Sequence, residues 1–187
     1  MEAEQLKWNF PLSNHTSQNG FDTADVQTFS GNPLDSLARE SVQNSSDARK
    51  EGSEKPVHVE FVTQEVAPND IPGIEEIRKQ LERCRNLQGY DKKTAQIIDK
   101  METILNSTSI TILRISDHNT SGLTGVGTND NNSKWFGLIK RSGSSNKTSG
   151  DKMGSKGIGK FASFACSGLR MVFYSTLTED GKRAYEG

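Results

Sequence analysis

Glu40, Asn44 and Asp47 stand four and then three residues apart in "ARESVQNSSDA". That spacing stacks side chains on one face of a helix. A carboxylate and a carboxamide aimed the same way can do hydrolytic chemistry. Asn44 can offer its amide oxygen to Mg²⁺, and Glu40 can take a proton from water. The same row also reads as a solvated helix face. A second acid, Asp117, ends an apolar run and leads into "HNTSGLTGVG". Acids at strand ends are often turn formers, so a plain turn and a fixed hydrogen-bond acceptor both stay open.

The third feature is "DKMGSKGIGKFASFACSG", residues 151–168. Gly154, Gly159 and Lys160 fit a P-loop, but Phe161 stands where Ser or Thr would hold Mg²⁺. Gly157, Gly159 and Ala162 loosely match a dinucleotide fingerprint. Both devices follow directly on a strand, and here the preceding "KRSGSSNKTSG" is a polar tract. Two readings remain. One is a glycine turn at the end of a mobile lid, opening a helix whose N-terminal amides face a phosphate. The other is a turn with no ligand.

These residues need elements to hold them. The chain has 187 residues, enough for one domain with a core. Net charge is −1, which gives no global field toward nucleic acid or anionic membrane. Hydrophobic residues make up 32% of the chain and mean hydropathy is −0.69, so loops or tails accompany the core. No run has the apolar length of a membrane span. The acidic start "MEAEQLKWNF" lacks a signal-peptide core, and Cys84 and Cys166 read as reduced core thiols. A cytoplasmic protein is expected. His15, His58 and His118 show no ligand spacing along the sequence.

Residues 1–30 read as an N-terminal extension that packs by Trp8, Phe10, Phe21 and Phe29. Asn32 and Pro33 start a helix as N-cap and first helical residue, which "GSEKP" ends. Leu34, Leu37, Ala38, Ser41, Val42 and Ser45 share one of its faces. "VHVEFVT" alternates as a strand. Pro72 opens a second helix lined by Ile74, Ile77, Leu81 and Cys84. Asp91 caps a third carrying Ala95, Ile98, Met101 and Leu105. The two make a helical hairpin over about 72–106. "SITILRIS" reads as a strand buried on both faces. A polar, glycine-rich stretch follows, broken by "KWFGLI". Beyond the glycine turn come a helix, the strand "LRMVFYSTL", a turn at Asp180-Gly181 and the start of a fourth strand. Strands and helices alternate, so an α/β two-layer sandwich is expected, a mixed sheet with helices on one face. The sequence closes within a hairpin, so a fragment of a longer protein is expected.

The motif E-x-x-x-N-x-x-D on a helix, a strand ending in Asp with a glycine-containing turn, and then "GSKGIGKF" resemble, in this order, a known family. It is the ATP-binding domain shared by gyrase, heat-shock chaperones, histidine kinases and mismatch-repair MutL proteins, the GHKL superfamily with the Bergerat fold. "LARESVQNSSDAR" resembles the first helix of the chaperone and gyrase branches. The resemblance covers roughly residues 31–176. It implies an ATP-binding domain over 31–187, incomplete at its C-terminal side, with the hairpin as an insertion and a lid at about 126–156.

The resemblance also implies roles. Glu40 would be the general base on the attacking water. Asn44 would hold Mg²⁺, and Asp47 would line the nucleotide pocket. Asp117 would accept from the adenine 6-amino group. Gly122 and Gly125 would let backbone pass near the base. Gly154, Gly157 and Gly159 would bring amides to the β- and γ-phosphates, with Lys156 and Lys160 adding charge. Lys140, Arg141, Lys147 and Lys152 suit a lid that closes over phosphate. ATP and Mg²⁺ are the cofactors implied. Slow hydrolysis would drive lid closure and signal to downstream domains of a longer protein, and a homodimer is one possible assembly. A regulatory nucleotide-binding module without turnover and a scaffold with a vestigial site are the alternatives. The chain departs from the family at "DHNTSGL", where Asn119 replaces the first glycine of D-x-G-x-G. Asn tolerates positive φ, so the turn is expected to survive in altered shape. The family's later strands and its threonine near the adenine have no counterpart in this sequence, and the hairpin matches no named branch.

Overall fold

A computed structural model describes residues 21, 23–87, 89–128, 130–140 and 158–187. Its elements are α1 (Ala24–Phe29), α2 (Pro33–Asp47), β1 (His58–Val66), a 3₁₀ turn (Pro68–Asp70), α3 (Ile74–Asn86), α4 (Lys92–Leu105), β2 (Ile110–His118), α5 (Lys134–Ile139), α6 (Phe161–Cys166), β3 (Tyr174–Leu177) and β4 (Arg183–Glu186). The chain divides into two units, one built on residues 62–114 and one on 24–61 with 115–187.

The first unit holds the helical hairpin. Ile74 and Leu81 of α3 and Ile98, Met101 and Leu105 of α4 are buried, as their helical spacing predicts. The Asp91 side chain accepts from the Thr94 amide at 2.7 Å and starts α4. Early in α3, Arg78 donates to the Leu105 carbonyl at 2.9 Å. Near its end, Arg85 reaches Asp99 at 2.5 Å and Glu102 at 2.6 Å. The start of one helix therefore meets the end of the other, and the pair is antiparallel.

In the second unit, Phe29 of α1, Leu37 of α2 and Ala162 of α6 form a core joined by Ile115, Ile158, Phe161, Ala165 and Cys166. Ala162 is fully buried. Its small side chain sits where α6 packs on both α1 and α2. Phe29 packs as expected, but from a helix that the polar segment around it did not announce. β3 and β4 pair antiparallel, with Ser175 opposite Tyr185. The turn at Asp180-Gly181 is present, with Gly181 at φ +78°.

β1 and β2 pair with each other. Glu65 meets Ser109 and Thr111 at one end, and His58 meets His118 at the other, so they run antiparallel. Helix and strand are thus mixed, as an α/β reading requires. The single mixed sheet is not met among the described strands, which form two two-stranded sheets. β3 meets the loop after β2, where the Thr176 hydroxyl accepts from the Leu123 amide at 2.8 Å, and no ladder joins β3 to β2 among the described residues.

Several local expectations shift. α2 ends at Asp47, before "GSEKP", and the next residues, Ala48, Arg49 and Lys50, bond to the turn after β2. Asn32 sits at the N-cap, but its side chain donates to Asp35 and caps no amide. Leu34 and Val42 are 66% and 46% exposed, so only part of the expected apolar face is buried. β2 is not buried on both faces: Leu113 and Arg114 are exposed, since β1 is its only described strand neighbour. "KWFGLI" is helix α5, capped by the Ser133 hydroxyl. Strand β3 starts at Tyr174, five residues into "LRMVFYSTL".

Candidate functional site

α2 presents two adjacent rows to its surroundings. Leu37, Ser41 and Ser45 point inward, with Leu37 and Ser45 buried. Glu40 is half-buried, and Asn44 and Asp47 are exposed. The inward row meets Asp117. The Ser45 hydroxyl donates to Asp117 Oδ2 at 3.0 Å, and the Thr120 hydroxyl donates to Oδ1 at 3.2 Å. Both carboxylate oxygens are thereby oriented from within the chain. Each oxygen keeps a second lone pair, so the group can still accept from an outside donor, and it is exposed.

Backbone bonds fasten the end of α2 to the turn after β2. The Lys50 amide donates to the Asn119 carbonyl at 3.1 Å, and the Ser121 amide to the Ala48 carbonyl at 2.8 Å. Arg49 and Thr120 form an antiparallel bridge. The Asn119 side chain donates to the Pro56 carbonyl at 2.7 Å. Asn119 adopts φ +62°, a left-handed conformation that Asn can reach.

Gly122 and Gly125 each lie against another segment of the chain. Gly122 has φ +67°, and a Cβ there would lie 2.5 Å from the Leu177 carbonyl oxygen. Gly125 has φ +88°, and its Cβ would collide with Ser133 Cβ at 2.1 Å. Close packing on β3 and on the start of α5 accounts for both glycines. The Thr176 hydroxyl also lies 3.1 Å from that Gly122 Cβ position. Thr176 of β3 therefore stands beside the turn.

Gly159 and Lys160 immediately precede α6, which packs on α2. Lys160 does not point to open solvent. Its ammonium donates to the Leu138 carbonyl near the end of α5 at 3.0 Å, and burial pulls its pKa below the ordinary lysine value. Lys140, expected in the lid, pairs with Glu186 at 2.7 Å. Gly154, Lys156, Gly157, Arg141, Lys147 and Lys152 lie outside the described residues.

The sequence reading thus found Asp117 and the α2 face but missed Ser45, Thr120 and Thr176 as polar partners. Ser45 sat in an otherwise apolar row, and that was the available signal. No helix among the described residues is long and apolar enough to cross a membrane. No family model, curated protein or solved structure matches the chain.

Proposed function

We propose that the chain is a Mg²⁺-dependent ATP-binding module of GHKL type, in a Bergerat-like arrangement, that hydrolyses ATP slowly and passes the resulting lid movement to the rest of a longer protein. One observation carries the reading: the helix bearing Glu40, Asn44 and Asp47 is bonded through Ser45 to the strand-end Asp117 at 3.0 Å. Two motifs far apart in sequence are thereby held side by side, as a nucleotide site built from both requires. The left-handed turn at Asn119 and the packing of α6 on α2 support it.

On this reading Asp117 accepts from the exocyclic amine of adenine. The exposed Asn44 amide offers Mg²⁺ one oxygen ligand. Mg²⁺ commonly takes few protein ligands and completes its shell with phosphate and water oxygens, so a single carboxamide fits. Glu40 holds the proton-accepting position on α2. Gly159 and Lys160 lie at the α6 end, which packs on the same helix.

The test is titration of the 187-residue chain with ATP and GTP in the presence of Mg²⁺. ATP is expected to bind more tightly. Guanine carries a carbonyl where adenine carries the amine, and two facing acceptors leave a loss of roughly 1–3 kcal/mol. Asp117→Ala is expected to abolish the preference. Equal affinity for the two nucleotides, or no binding of either, overturns the reading.

A further inference from the structure

The histidines that show no ligand spacing in sequence meet in space. His58 begins β1 and His118 ends β2, and antiparallel pairing sets them opposite each other. Their ring centroids are 5.8 Å apart. Glu60 lies two residues along β1 from His58, hence on the same face. Its two oxygens are divided between the rings: His58 Nε2 is 3.6 Å from Oε1, and His118 Nε2 is 3.9 Å from Oε2.

Two imidazoles and one carboxylate are a donor set suited to borderline metals such as Zn²⁺, and three protein ligands leave a position open. The groups do not yet stand at ligand spacing, and no such group of three is gathered among the described residues. The adjustment is small. Two atoms bound to one zinc at ~2.0–2.1 Å lie about 3.0–3.5 Å apart, against the 3.6 and 3.9 Å found here. The imidazole side chains are 61% and 56% exposed, so they can rotate without disturbing the core. The β1–β2 pairing fixes the backbone beneath them, and the Asn119 bond to Pro56 ties the same end.

We propose that His58, Glu60 and His118 bind one divalent transition-metal ion of the Zn²⁺ class. The ion would tie β1 to β2 through both strands. The site is distinct from any Mg²⁺ held with a nucleotide, because Mg²⁺ selects oxygen donors over imidazole. It does not depend on the ATP reading.

The probes are Zn²⁺ by calorimetric titration and Co²⁺ by absorption, on the full chain without nucleotide. One equivalent of Zn²⁺ is expected. His58→Ala, His118→Ala and Glu60→Gln should each weaken it by at least about tenfold, since loss of even an outer-shell partner costs roughly 10–100-fold. His15→Ala should bind as the wild type does. The Co²⁺ spectrum should lack thiolate charge-transfer bands, which separates the site from Cys84 and Cys166. Circular dichroism of each variant checks that the fold is kept. Lack of Zn²⁺ uptake by the wild type, unchanged affinity in folded His58→Ala or His118→Ala, an equal loss in His15→Ala, or thiolate bands overturns the assignment.

Discussion

The Ser45 hydroxyl donates to Asp117 Oδ2 at 3.0 Å across 72 residues of chain. It joins a buried helix position to an acid at the end of a strand. A hydroxyl bonded to a carboxylate contributes more than a neutral pair, and exposure of the acid reduces that contribution. Ser45→Ala is expected to destabilise the chain by about 1 kcal/mol. A double-mutant cycle with Asp117→Ala, which removes the acceptor, read by urea unfolding, should return a coupling of similar size. Strict additivity of the two substitutions would show that the bond contributes nothing.

Gly122 allows a comparison with a glycine in open space. At Gly122 a Cβ meets the Leu177 carbonyl oxygen at 2.5 Å, whereas at Gly127, with φ +72°, nothing lies within 4 Å. Gly127→Ala should therefore incur only the left-handed backbone cost of about 1–2 kcal/mol. Gly122→Ala adds overpacking of about 1–3 kcal/mol. Urea midpoints should fall clearly further for Gly122→Ala. Equal shifts would mean that the turn moves off β3 without resistance.

What the sequence made legible was local. The α3–α4 hairpin follows from Ile74, Leu81, Ile98, Met101 and Leu105 at helical spacing and from Asp91 as a cap. All of that is settled within a few residues of each side chain. The β3–β4 hairpin follows from Asp180-Gly181 in the same way. What escaped depends on contacts between distant segments. Ser45 lies one residue from Asn44, a 100° rotation on the helix, and only the placement of β2 decides which of them faces Asp117. The exposure of Leu34, Val42 and Leu113 has the same origin, since a pattern shows which side is apolar but not whether a partner covers it. His58 and His118 meet only because β1 and β2 run antiparallel.

Glu65 supplies a pH-dependent contact on the β1–β2 pair. The Thr111 hydroxyl and then the Ser109 hydroxyl donate to its carboxylate and hold its pKa below the ordinary glutamate value. The sign follows from the lowered pKa in the folded state. The contribution is present above the unfolded-state pKa and is lost as pH falls through the folded one. The loss therefore belongs to the acid range, below the ordinary value of 4.5. Carbon-detected titration of the Glu65 carboxyl should give a midpoint below that of a model peptide, and Thr111→Val should raise it. A midpoint that ignores Thr111→Val removes this hydrogen bond as the cause.

Glu40 and Asn44 share one row of α2 and should fail in different ways. On the proposed function Asn44 acts on the metal, so Asn44→Ala should weaken Mg²⁺-dependent ATP binding. Glu40 acts on water in the transition state and touches the ground state little. Glu40→Ala should leave ATP affinity nearly intact while hydrolysis falls by about 10²–10⁴-fold, the usual contribution of a positioned general base. Removing a negative charge near a triphosphate should, if it changes affinity at all, tighten binding slightly. Phosphate release and ATP affinity measured on the wild type and both variants separate the outcomes. Wild-type turnover in Glu40→Ala places the base elsewhere. ATP binding with no turnover in the wild type leaves a regulatory module. Absence of ATP binding in all three reduces Glu40, Asn44 and Asp47 to a polar helix face.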